Sequence, residues 1–221
     1  MTLDIYRNEE EQVAALKNWW AQNGKSLIVG ILLALTLVFA WKSWQQRVIN
    51  EKSTASMLYQ QMLQSALAET MTEENHSSVA FIGNKLKTEF ENTQYAVFAS
   101  LFLAREFVNS GDLSAAEAQL KWALAHAMGT EMAAVSTVRL AKIVAAQSRQ
   151  DEALKLLEHP ANQSFAAIYD EAKGDIYFAA NDRDSAQKAY VSAYKESDEG
   201  SGSRALLKIK LADLGVRAED L

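Results

Sequence analysis

The sequence predicts an all-α protein: a single transmembrane helix followed by an α-solenoid of helical hairpins. Three observations carry this. Among 221 residues there are only one Pro and nine Gly, too few turn formers for a sandwich or barrel that must reverse direction every dozen residues. Leu27 to Trp41 forms an uncharged apolar run of fifteen residues. Beyond it, a helix–turn–helix pattern returns around Ala116, Ala153 and Ala186, spaced 37 and then 33 residues apart.

Composition bounds the function. The chain is 49% hydrophobic, with a formal net charge of −6 and a pI near 5.2, which excludes a wholly disordered polymer. It also argues against a nucleic-acid binder, which needs a basic face to displace phosphate counterions. There is no Cys, so disulfides, thiolate-held metals and a thiol nucleophile are excluded.

The amino-terminal residues 1–25 read as an amphipathic segment. Asn8 is the expected N-cap, and Glu9, Glu10 and Glu11 suit the positive end of a helix. Val13, Leu16, Trp19 and Trp20 share a face, and Asn23-Gly24 is the expected stop. Trp19 and Trp20 have two readings: indoles laid in the headgroup region, or a partner-docking surface.

Residues 26–44 are the expected transmembrane helix. About 19 residues at 1.5 Å each reach roughly 28 Å, close to the hydrocarbon thickness. Trp41 and Trp44 stand where an aromatic belt belongs, and Lys25 and Lys42 can snorkel. A buried core helix would carry more polar positions. A cleaved signal peptide would have a short basic start and a small-residue cleavage site, whereas Asp4 and three glutamates precede the run and WKSWQQR follows it. Arg7, Lys17 and Lys25 on one flank balance Lys42, Arg47 and Lys52 on the other, so charge bias leaves the orientation open.

Residues 45–221 read as helices throughout. Glu51–Glu69 continues from the span, a polar break at Thr72–Asn75 follows, and Val79, Ile82, Leu86 and Phe90 mark the next amphipathic helix. Ser100–Ala123 is helix, Ser-Gly-Asp turn, helix, with small Ala104 and Ala116 where two helices approach closely, and with Leu103, Phe107, Leu120 and Ala123 filling the layer toward the next pair. Leu140, Ala141, Val144, Ala153 and Leu157 repeat it, as do Gly174, Tyr177, Ala186, Tyr190 and Ala193. Ser203–Leu214 suits a terminal capping helix.

These units resemble tetratricopeptide repeats: a large-small pair, an aromatic, a Gly-Asp turn, an Ala, a second aromatic and another Ala. The first unit matches well. The second has Ser148 for the turn glycine and Pro160 for the last alanine, and the third has Lys173 for the leucine and Asn181 for the turn glycine. The chain as a whole resembles the YfgM family, the ancillary SecYEG-translocon subunit of Gram-negative bacteria. The residues that carry this are Ile5-Tyr6, Glu11-Gln12-Val13, Trp19-Trp20 and Asn23-Gly24-Lys25, supported by Ala99–Val108 and Thr137–Lys142.

The resemblance implies an inner-membrane anchor with a cytoplasmic amino terminus and a periplasmic repeat domain. It implies partners in the SecYEG translocon and in the membrane-anchored chaperone PpiD, helping new proteins reach periplasmic chaperones, and a link of the cytoplasmic segment to the Rcs response regulator. It carries no catalytic residue and no cofactor. His76, His126 and His159 lie far apart without partners at ligand spacing, so no enzyme is expected. Partner contacts are expected on the first helix of each unit, near Glu106, Arg139 and Asp170, besides Trp19 and Trp20. The rival expectation is a scaffold of another envelope complex, which shares every feature except the amino-terminal block.

Overall fold

The computed structural model describes residues 3–68, 72–160 and 162–217, together with 219 and 221, with side chains from residue 11 onward. The described residues are helical, without a strand. Two compact units divide the chain, Met1–Ser53 and Thr54–Leu221.

The first unit belongs to one long helix, α1 (Leu3–Ala66). Among the described residues, this helix alone is long and apolar enough to cross a membrane. Its apolar side chains face outward: Phe39 is 69% exposed and Leu33 61%. A soluble core helix would bury them, whereas this exposure fits a helix anchored in a membrane. Thr36 donates its hydroxyl to the Leu32 carbonyl at 2.8 Å, so that hydroxyl is not left bare. Trp41 and Trp44 lie with ring centroids 5.3 Å apart.

Two expectations for this region are corrected. Asn8 lies inside α1 and is not its N-cap, and Asn23-Gly24 does not stop the helix. An interior Gly costs only about 1 kcal/mol against Ala, which the cooperative helix bridging two strong segments absorbs. The sequence also compensates locally. The Asn23 side-chain amide donates to the Trp19 carbonyl at 3.1 Å. A Cβ on Gly24 would lie 3.2 Å from the Trp20 indole, so the glycine lets that ring lie flat along the helix.

The second unit begins with the end of α1 and adds α2 (Glu73–Glu89), α3 (Gln94–Asn109), α4 (Leu113–Ala125), α5 (Thr130–Ala146), α6 (Gln150–Leu156), α7 (Ala166–Ala179), α8 (Arg183–Glu196) and α9 (Gly202–Asp213). A short 3-10 turn, Gln163–Phe165, precedes α7. Thr72 caps α2 by accepting from the Asn75 amide, which places Glu73 and Glu74 in the first helical turn, where the helix dipole favours them, and not in a loop.

The repeat is an antiparallel hairpin, α3 with α4, α5 with α6, and α7 with α8. Each first helix ends in the same way. Gly111, Ser148 and Asn181 take φ of +82°, +65° and +62°. The next amide reaches back five residues, Asp112 to the Phe107 carbonyl, Arg149 to Val144 and Asp182 to Tyr177. This closes the orphan carbonyls of the helix end with a left-handed residue. Asp112 and Asp182 then cap the second helix through their side chains, at the Ala115 and Ser185 amides. Gly215, with φ +81° and a bond from the Val216 amide to the Leu211 carbonyl, repeats the turn 34 residues after Asn181. Helix α9 is therefore built like the first helix of a further unit.

Packing follows from size pairing. Ala116, Ala153 and Ala186 are fully buried at the hairpin contacts. Across from the second-helix residue Tyr190 the first helix carries Gly174, and a Cβ there would meet the ring at 2.4 Å. In the first two units the corresponding second-helix residue is the smaller Leu120 or Leu157, and Ala104 and Ala141 fit. Leu120 and Ala123 join the central core with Val97, Leu140, Val144 and Leu157. Leu103 faces the other way, joining Met62, Val79, Ile82 and Leu86, with Phe107 packed against them. Leu103 and Phe107 thus fill the layer behind their hairpin and not the layer ahead. The cause is that α3 buries two faces, one against each neighbour.

Candidate functional site

First helices line the inner face of such a stack, and here they build a continuous groove. Its aromatic end comes from the last turns of α1 and from α3. Tyr59, Tyr95 and Phe98 form a cluster with centroids 5.8 to 6.4 Å apart. Phe102 stands one helical turn beyond Phe98, and Met132 and Val135 of α5 form the facing wall. Burial holds the Tyr59 phenol protonated, its pKa raised above the ordinary tyrosine range against the opposing pull of Arg105.

Arg105 and Arg139 line this aromatic hollow and also the adjoining one, whose floor includes Leu101, Ala104, Leu120 and Ile143, with Lys142 at its edge. Among the described residues no Asp or Glu lines either hollow. The Arg105 guanidinium lies 4.1 Å from the Phe102 ring centroid and pairs with Glu106 at 3.1 Å. Arg139 is exposed, and among the described residues it makes no ion pair or hydrogen bond.

Further along, the first-helix face becomes an ion network. Asp175 of α7 pairs with Lys142 at 2.8 Å and with Lys210 of α9 at 2.6 Å, and Lys210 also meets Glu171 at 2.6 Å. The Tyr190 hydroxyl donates to Asp175 at 2.9 Å. Burial raises the Asp175 pKa, but the two lysines outweigh it and hold the carboxyl below its usual range. Burial likewise works against the Lys210 ammonium, and its two carboxylates outweigh it and raise its pKa. Three successive first helices are tied by these charges.

A second network lies between α4 and the turn before α6. Glu117 is nearly buried and pairs with Lys121 and Arg149, each at 2.7 Å, while Gln147 donates to it at 2.8 Å. Chiefly the Lys121 hydrogen bond, against some burial cost, lowers the Glu117 pKa to about 2. These groups are mutually satisfied and serve to align hairpins. Arg149 occupies the position held by Asp112 and Asp182 in the other turns, and reaches Glu117 and Glu152 in place of capping its own helix.

The residues expected at partner contacts fall in separate places. Trp19 and Trp20 lie on α1 in the first unit, about half exposed, alongside exposed Val13 and Leu16. Arg139 lies in the groove. Glu106 does not line it: its side chain is 19% exposed and faces His76, 3.9 Å away, in a hollow with Val79 and Ala80. Asp170 is engaged by Lys173 at 2.8 Å. Sequence reasoning missed Tyr59, Phe98, Phe102, Arg105 and Met132. The signal was present in α3, whose apolar residues exceed what one buried face can hold. The surplus, Phe98 and Phe102 at i and i+4 with Arg105 on the next turn, is the groove wall.

This architecture defines a helical-repeat interaction protein with an apolar amino-terminal helix. A family model described as a tetratricopeptide repeat-like domain matches residues 17–216. The ancillary SecYEG translocon subunit of Escherichia coli (strain K12) is 31% identical over 214 residues, 97% of this chain and 100% of that protein. Its counterpart in Aggregatibacter actinomycetemcomitans is also 31% identical, over 93% of this chain and 97% of the relative, and that of Neisseria gonorrhoeae is 26% identical over the same shares. The chain belongs to the family of ancillary SecYEG translocon subunits, a non-catalytic kind of family. No solved structure gives a significant match.

Proposed function

We propose that this protein is a membrane-anchored interaction module of the Sec translocon, handing newly translocated proteins to periplasmic chaperones together with the chaperone PpiD. The observation that carries the reading is the end-to-end similarity to proteins named ancillary SecYEG translocon subunits. Physical support comes from the division of labour along the chain. Leu27–Trp41 is an uncharged run whose side chains find no protein cover, as an anchor in lipid requires. The repeat unit offers an uncovered groove of aromatic and cationic side chains, the kind of surface that takes up polypeptide.

In this reading residues 26–44 span the inner membrane, residues 1–25 are cytoplasmic with Trp19 and Trp20 at the interface or on a partner, and residues 45–221 are periplasmic. From Gln45 onward there are 18 Lys and Arg against 24 Asp and Glu. That acidic excess keeps the domain off anionic headgroups and free to meet protein. The cytoplasmic segment is the proposed contact for the Rcs response regulator.

Protease protection on spheroplasts tests the topology: external protease should remove the repeat unit and leave an anchored amino-terminal fragment. Photo-crosslinkers at positions 19 and 20 in native membranes test the partner, with adducts to SecYEG or PpiD expected. Adducts only to a different envelope assembly would replace the translocon by another machine.

A further inference from the structure

We infer that the groove between α3 and α5 binds extended polypeptide segments in which carboxylates alternate with aromatic or large aliphatic side chains. This deepens the proposed function, on which it rests, by naming the chemistry of the segments that are taken up.

The argument starts from charge. Residues 54–221 carry 16 Lys and Arg against 23 Asp and Glu, so a cationic surface is not the default anywhere on this unit. Yet both hollows of the groove are lined by Arg105 and Arg139, the second also by Lys142, and by no acidic side chain among the described residues. Lys142 is committed to Asp175, and Arg105 to Glu106. Arg139 is committed to nothing among the described residues. An exposed guanidinium over an apolar floor presents a planar fork of donors that suits a carboxylate and rejects an ammonium.

The apolar lining supplies the second half of the specificity. Tyr59, Phe98 and Phe102 on one wall and Met132 on the other offer edges, faces and an adaptable thioether to an inserted ring or aliphatic chain. Arg105, stacked on Phe102 and already paired with Glu106, keeps positive charge beside the aromatic wall, so the two halves adjoin. An extended chain places alternate side chains on one side about 6–7 Å apart. Strict alternation therefore sends the carboxylates to one side, toward Arg139 of α5, and the aromatic or aliphatic side chains to the other, toward Tyr59, Phe98 and Phe102. A basic segment meets like charge with no compensating carboxylate, and a purely apolar one leaves Arg139 facing it unpaired.

The test uses the full chain in nanodiscs and the fluorescein-labelled peptide Ser-Phe-Glu-Leu-Glu-Phe-Gly-Ser, read by anisotropy. Its counterparts carry Gln or Lys in place of both Glu. The acidic peptide should bind at least about tenfold more tightly than the Gln form, weaken as salt rises, and outbind the Lys form by more. Arg139→Glu should lower its affinity about tenfold or more, and Arg139→Gln about threefold to tenfold. Lys155→Glu makes the same change in net charge on exposed α6 and should leave affinity unchanged. Circular dichroism checks that each variant is folded, which exposed positions allow.

Equal affinity for the Gln peptide, wild-type binding by Arg139→Glu, or equal weakening by Lys155→Glu would overturn the inference. So would self-association of the full chain that Arg139→Glu abolishes without affecting peptide binding, which would make a second copy the occupant. Each of these leaves the crosslinking test of translocon association standing, so the two readings fail separately.

Discussion

Glu117 shows how one side chain aligns two hairpins. Its pKa of about 2 lies below the ordinary glutamate value of 4.5. A carboxylate depressed by folding contributes stability that is present above the unfolded value and is lost as pH falls through the folded one. Glu117→Gln should therefore lower unfolding free energy at pH 7 by about 1–3 kcal/mol. The difference from the parent should shrink as pH is lowered from 4.5 toward 2 in denaturant titrations. Ser136 is the opposite case. Its hydroxyl is fully buried in α5 and finds no hydrogen-bond partner among the described residues, while the matching residue of α3 is Ala99, also buried. Ser136→Ala should raise stability by about 1 kcal/mol, measured as a rise in the denaturation midpoint. The candidate partner residues illustrate the limit of reading single positions. Glu106, Arg139 and Asp170 are all polar members of first helices, yet a shift of one or two positions around a helix turns a groove residue into one facing the preceding helix, and Glu106 was turned in that way.

At the scale of elements, the repeat was legible because its constraints are local. A turn residue must accept φ near +60°, an Ala must sit at each close helix contact, and the period follows from helix lengths. Ser148 fulfils the turn role at a cost, since a residue with a Cβ in the left-handed region loses about 1–2 kcal/mol. Ser148→Gly should recover part of that, about 0.5–1 kcal/mol after the added chain entropy of glycine, visible as a higher melting temperature. Gly174 argues the converse. Gly174→Ala brings helix propensity worth about 1 kcal/mol, but drives a methyl to within 2.4 Å of the Tyr190 ring. Net destabilisation of about 1–3 kcal/mol is expected. A double-mutant cycle with Tyr190→Leu should show favourable coupling, since the first two units tolerate Ala opposite Leu. The long α1 was less legible. Asn23-Gly24 has the composition of a helix stop, but what decides its conformation is the strength of the helix on either side.

Over the whole molecule, stability in a helical stack is close to a sum of units and their interfaces, so the α8–α9 interface contributes its own share. Leu207 and Leu211 of α9 bury themselves against Tyr190, Ala193 and Tyr194, and Arg204 reaches the Tyr194 and Ser197 carbonyls while stacking on Tyr194. Ending the chain at Gly200 should expose that layer and cost about 3 kcal/mol or more from the two leucines alone. Lower protease resistance and aggregation of the truncated chain would report it. The loss of Lys210 would also leave Asp175 and Glu171 short of a cation.

The linear order of residues was enough to determine the long apolar run, the hairpin repeat and the turn chemistry, because each depends on spacing within a few helical turns. Which surplus apolar residues form a groove, and which charges stay unpaired within it, was decided only by the tertiary structure. Tyr59, Phe98, Arg105, Met132 and Arg139 come from three helices separated by tens of residues. Their juxtaposition depends on how each helix is rotated against its neighbours, and that rotation is set by packing between helices, not by any pattern within one of them.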